Sequence, residues 1–73
     1  RKVCITGKLD MTRSQLASIL EEKGFQVTST VTKDCYTLVA GDTTSSKYKK
    51  AMTIGVNVID YWSSKKEVLS GNF

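Results

Sequence analysis

Histidine and proline are absent from this chain of 73 residues, and cysteine occurs only twice. Without histidine the chain lacks the commonest general base and a principal zinc ligand, and Cys4 and Cys35 form no CxxC pair, so no metal site is expected. Neither a GxxxxGK[ST] phosphate loop nor a GxSxG nucleophile elbow occurs. Lys33-Asp34-Cys35 does not replace them: a cysteine nucleophile needs a base or an electropositive pocket, and Cys35 falls in an apolar run beside Tyr36. The apolar runs are a few residues long, far below the roughly 20 that cross a bilayer, and no basic-then-apolar leader opens the chain, so no membrane association is expected. Secreted proteins of this size usually carry more cysteines, and free buried thiols suit a reducing compartment. The expected location is intracellular. A chain this short buries only about 60% of the surface its unfolded form exposes, which leaves little stability for a deep substrate cavity. One small, non-catalytic domain is expected.

What the chain does have is positive charge. Eleven Lys and Arg residues against seven Asp and Glu give a formal charge of +4, a balance that favours a polyanionic partner such as nucleic acid.

Hydrophobic periodicity divides the chain into seven elements. Val3-Cys4-Ile5 reads as a strand that runs into a turn at Thr6-Gly7. Leu16, Ala17, Ile19 and Leu20 recur at helical spacing, with a Thr12-x-x-Gln15 capping box before them and Gly24 as the stop, which predicts a helix over 13–23. Residues 25–32, rich in threonine and valine, predict a second strand with its following turn, and Tyr36 to Ala40 a third. After a polar Thr43-Thr44-Ser45-Ser46 stretch, a short helix is predicted from Ser46 to Ile54, closed by Gly55. Val56, Val58 and Ile59 give a fourth strand, and Asp60 caps a last helix from Tyr61 to about Leu69, with Ser70-Gly71-Asn72 as its frayed end. The order β-α-β-β-α-β-α implies crossover connections and a largely parallel sheet covered by helices, with Phe25 and Trp62 as core aromatics. The turn after the first strand then lies at the carboxyl ends of the strands, where ligands of open α/β sheets bind.

Several residues in that region suit an anion, and each also has an ordinary structural use. Thr6 offers a hydroxyl and Gly7 an unshielded amide, or they simply end a strand and make a turn. Arg13 opens the first helix, where free amides and the dipole attract anions and where a cation without a purpose is mildly disfavoured. Lys47 holds the equivalent place in the second helix; Lys49 and Lys50 extend the charge or form a solvated face. Thr28 aims a hydroxyl at the same edge or only favours a strand.

The segments VCITGKL, EEKGFQV, TSTVTKDCYTLVAGD and SSKYKKAMTIGVNVIDYW, in that order, resemble a BRCT domain along nearly the whole chain. The similarity is strongest to the branch found in NAD-dependent DNA ligases and the large subunit of replication factor C, through Ile5-Thr6-Gly7, Leu38-Val39-Ala40-Gly41, Ser46-Lys47, Lys50-Ala51 and the run from Gly55 to Asp60. The resemblance implies an α/β fold with four parallel strands in the order 2-1-3-4, the first and third helices on one side and the second on the other. It also implies that Thr6, Gly7, Arg13, Thr28 and Lys47 hold a phosphate, with Lys8, Lys49 and Lys50 along a DNA backbone. Trp62 would be core, not contact.

By the same resemblance the expected partner is nicked or 5′-phosphorylated double-stranded DNA, and the domain belongs to a longer chain. A phosphoprotein partner, or a structural contact with other domains of the parent, is the alternative. No cofactor is expected within the domain: NAD and metal belong to the parent enzyme, and no KxDG adenylation motif is present. The compartment would be the cytoplasm or nucleoid of a bacterium, or the nucleus of a eukaryote.

Overall fold

The computed structural model describes residues 1–73. The elements are β1 (Lys2–Thr6), α1 (Arg13–Glu22), β2 (Gln26–Thr28), β3 (Cys35–Ala40), α2 (Ser46–Ile54), β4 (Val58–Asp60) and α3 (Lys65–Ser70). All strand pairs are parallel and the sheet order is β2-β1-β3-β4. β1 and β3 lie at the centre with both faces covered, so each carries a nearly unbroken run of buried residues instead of an alternating one. No helix is long and apolar enough to cross a membrane.

Alternation along β1 sends successive side chains to opposite faces. Val3 and Ile5 enter a cluster with Leu16 and Leu20 of α1, Val68 of α3, Phe25, Val39 and Tyr61. Cys4 joins Val31, Cys35, Leu38, Val56 and Ala51 of α2 on the other face. Leu16 and Leu20, four residues apart on one helix face, are both fully buried. In α2 the only buried residue is Ala51, with Tyr48 and Ile54 at its margins. The first helix therefore anchors through large side chains and the second through a small one.

Local chemistry sets the helix starts. The capping box forms as predicted: the Gln15 amide donates to Thr12 Oγ1 at 3.1 Å and the Thr12 amide to Gln15 Oε1 at 2.9 Å. Ser45 caps α2 by accepting the Tyr48 amide at 3.1 Å.

The largest differences from the sequence reading lie at β2, at β4 and in the last helix. β2 ends at Thr28 because the chain leaves the sheet edge to bury Val31 in the α2-side cluster. β4 starts at Val58 because the Val56 amide closes the end of α2, donating to Ala51 O at 2.9 Å. The last helix starts at Lys65, not Tyr61; Asp60 is spent on a tight turn, accepting the Ser63 amide at 2.8 Å. Its end is tied down, with Asn72 donating to Glu67 O at 2.8 Å and Phe73 stacked on Phe25 at 4.9 Å between centroids. Phe25 is buried as expected.

Trp62 is not a core aromatic. Tyr61 takes that place, fully buried in the α1-side cluster, while Trp62 remains exposed. The turn after β4 points one member of the adjacent aromatic pair inward, and the phenol satisfies its hydroxyl by donating to Asp10 Oδ1 at 2.5 Å.

Candidate functional site

Because the strands are parallel, the segments after β1, β3 and β4 emerge at one edge of the sheet. Thr6 ends β1 on the α2 face, 5% exposed, and donates its hydroxyl to Ser45 Oγ at 2.9 Å. Ser45 Oγ thus accepts from both Thr6 and the Tyr48 amide. Its own proton has no acceptor within the fold. Of the two hydroxyls, that of Thr6 is spent on Ser45, while that of Ser45 keeps its proton.

Gly7 and Gly41 hold two backbones in contact. The Gly41 amide donates to Thr6 O at 2.7 Å. Gly7 has φ +84°, and a Cβ there would lie 2.5 Å from the Asp42 nitrogen. A Cβ on Gly41 would lie 2.1 Å from Lys8 O. Side chains are excluded from this crossing.

Asp42, just beyond it, accepts the Thr44 amide at 3.1 Å and the Thr44 hydroxyl at 3.2 Å. The Thr44 amide first, then the Thr44 hydroxyl and the backbone amides of Lys8 and Ser45, hold its carboxyl below the usual range. Some of the donors that could face an outside anion are thus already turned toward an internal one.

Arg13 and Thr28 meet elsewhere. With Ser14 and Ser29 they form the polar rim of a groove of 240 Å³ whose floor is Ile5, Ala17 and Val27. Arg13 is exposed and Thr28 half-buried. The Thr28 hydroxyl donates to Thr30 O at 3.4 Å and contacts Cys4 Sγ at 3.2 Å. Lys47, the second residue of α2, is half-buried, while Lys8, Lys49 and Lys50 are exposed.

Cys4 links the two groups. Its Sγ lies 2.8 Å from Cys35 Sγ, and both cysteines are free and buried. Burial first, then the Cys35 contact, pushes the Cys4 thiol up, against a lowering by Thr28 and by the charge of Lys47. Neither sulfur is set up as a nucleophile.

The five predicted phosphate residues therefore form two neighbouring groups. Thr6 and Gly7 adjoin the start of α2, which carries Lys47, whereas Arg13 and Thr28 line the groove between α1 and β2. Sequence reasoning missed Ser45 and Asp42. Their signals were a serine before a helical run and an Asp-x-Thr turn.

A model of the BRCA1 C Terminus (BRCT) domain matches residues 1–61. The chain belongs to the BRCT family. Its curated relatives include DNA ligases from Nautilia profundicola, 36% identical over 70 residues, and Rubrobacter xylanophilus, 38% identical over 71. A third, from Desulforapulum autotrophicum, is 43% identical over 61 residues. These matches take in 92%, 97% and 82% of this chain but only 11%, 10% and 9% of the ligases. The chain spans about a tenth of the length of those relatives.

Among solved structures, Rad4 BRCT1,2 in complex with a Crb2 phosphopeptide matches with a TM-score of 0.74 and 26% identity, over 92% of this chain and 38% of that one. The complex of Rad4 BRCT1,2 with an Mdb1 phosphopeptide matches equally well. This BRCT domain is thus a binding module, not a catalyst, similar both to the BRCT region of DNA ligases and to BRCT domains solved with phosphopeptides.

Proposed function

We propose that this BRCT domain holds a DNA phosphate, the 5′-phosphate at a nick or recessed duplex end, for an NAD-dependent DNA ligase of which it is one part. The observation that carries this reading is the Thr6–Ser45 hydrogen bond, which seats the turn after β1 against the N-terminus of α2. There the Ser45 hydroxyl, the free amides of the helix start and the charge of Lys47, the second residue of α2, all suit one sign of ligand. The groove of Arg13 and Thr28 gives the adjoining backbone a second polar contact, and Lys8, Lys49 and Lys50 supply exposed charge. The +4 balance and the ligase relatives favour DNA as the polyanion.

The adenylated lysine, the nicotinamide site and any zinc belong to the rest of that enzyme, which operates in the compartment that holds DNA. Base sequence has little influence, because phosphate contacts carry no sequence information. A phosphoserine or phosphothreonine peptide is the second reading, favoured by the Rad4 complexes.

Lys47→Ala and Arg13→Ala are each expected to weaken binding to a 5′-phosphorylated nicked duplex by roughly 1.5–3 kcal/mol, the range for hydrogen bonds to charged groups, while leaving the melting temperature unchanged. Fluorescence anisotropy with labelled duplex and labelled phosphopeptide measures both arms. Tighter binding of the peptide, lost in the same variants, promotes the second reading.

A further inference from the structure

Trp62 is 51% exposed, yet its ring is fixed in place. The indole N–H donates to Lys8 O and Gly41 O, both at 3.1 Å. Tyr61 meets it in a T-shaped contact at 5.3 Å, and Lys65 Nζ lies 5.9 Å from its centroid, steadied by an ion pair with Asp10. Those two carbonyls belong to the crossing that holds Gly7 against Gly41 and Asp42. Trp62 follows β4, Lys8 follows β1 and Gly41 follows β3, so the indole stands at the same sheet edge as Thr6 and Ser45. The N–H anchor accounts for the position of the ring's polar edge but not for an exposed aromatic surface, since a small polar donor would tie the same carbonyls.

We propose that Trp62 is a stacking platform for the terminal nucleobase of the DNA end whose phosphate the domain holds. This rests on the DNA reading and adds a second point of contact to it. Nucleobases stack on aromatic faces whatever their identity, so the contact adds affinity without sequence preference. A ring already locked by hydrogen bonds loses little freedom on binding. The Lys65 ammonium near the ring, and the charge that exposed Lys8 adds to the same edge, have the sign that suits the strand. The platform also separates a DNA end from an internal backbone phosphate, because only an end offers an unstacked base face. Phosphate capture and base stacking together select duplex ends over continuous duplex.

Trp62 is the only tryptophan, so its fluorescence reports the contact directly. The chain is titrated with a 5′-phosphorylated duplex carrying either a normal base or an abasic tetrahydrofuran residue at the phosphorylated end, and with the 5′-hydroxyl form of each. The normal duplex should quench the fluorescence and bind about 5- to 150-fold more tightly than the abasic one, the range for stacking one base on an aromatic ring. Trp62→Ala should bring the two duplexes to equal affinity, and Trp62→Phe should restore most of the difference. Equal binding of the normal and abasic duplexes by the unaltered chain overturns the proposal without recourse to any variant. So does binding without quenching, quenching by phosphopeptide alone, or no binding to either duplex. Base dependence that survives loss of the 5′-phosphate supports the stacking and overturns only the phosphate reading.

Discussion

The two faces of the sheet are built from different materials. Toward α1 and α3 the cluster is aliphatic and aromatic, with leucines and valines fully buried; Tyr61 and Thr37 bring hydroxyls to that face, each hydrogen-bonded. Toward α2 the buried groups include two thiols, and Thr6 and the half-buried Thr28 add hydroxyls, each paired to another polar atom. The first face carries stability through area removed from water; the second gives up part of that area to position donors beside the start of α2. The notch proposed for the phosphate thus lies on the α2 side of β1, while Arg13 and the groove floored by Ile5, Ala17 and Val27 lie on the α1 side.

The contrast can be broken by unequal damage. Leu20→Ala, on the α1 face, should cost about 2–5 kcal/mol in urea unfolding, a large part of the stability of a domain this small. Cys35→Ala, on the α2 face, should cost about 1 kcal/mol, comparable to losing one buried methylene. Equal costs would mean that both faces are structural. Gly41→Ala tests the crossing at the sheet edge: a Cβ placed 2.1 Å from Lys8 O must displace backbone, at about 1–3 kcal/mol, and should also disturb Trp62 fluorescence through the shared carbonyls.

Two pH effects sharpen the comparison further. Burial first, then the Asp10 carboxylate, pushes the Tyr61 phenol up to about 12. The folded phenol stays neutral where the unfolded one ionises near pH 10, so this contribution is intact below about pH 10 and is lost as pH rises toward 12. Tyr61→Phe should flatten that part of the alkaline fall in melting temperature. Asp10 is opposite in sign, held below the usual carboxylate range by the Lys65 hydrogen bond first and by Tyr61 second. Its contribution is present above about pH 4, the ordinary carboxylate value, and fades as pH falls through the lower folded one. Asp10→Asn should remove a small part of the acid sensitivity, the smallest effect of the set.

Much of the architecture was legible from local patterns. The capping box, the helix stops and the strand cores follow from spacing alone, and strands separated by helices imply parallel crossovers. What could not be read was tertiary. Tyr61 and Trp62 are neighbours with equal claims to a core, and only the turn made by Asp60 and Ser63 decides which ring turns inward. Val56 has the composition of a strand residue, yet its amide is taken by α2. The site was legible in residue type and not in grouping: nothing local says that Thr6 reaches Ser45 across the fold, or that Arg13 and Thr28 share a groove without Lys47.

The notch between the turn after β1 and the start of α2 is the proposed seat of the phosphate. Amide chemical-shift mapping of the ¹⁵N-labelled chain, with matched duplexes bearing a 5′-phosphate or a 5′-hydroxyl, tests it most directly. The 5′-phosphate should selectively move the amides of Gly7, Ser46 and Lys47, and that of Arg13 in the neighbouring groove. Identical shifts with both duplexes, or shifts confined to the far edge of the sheet, would contradict it.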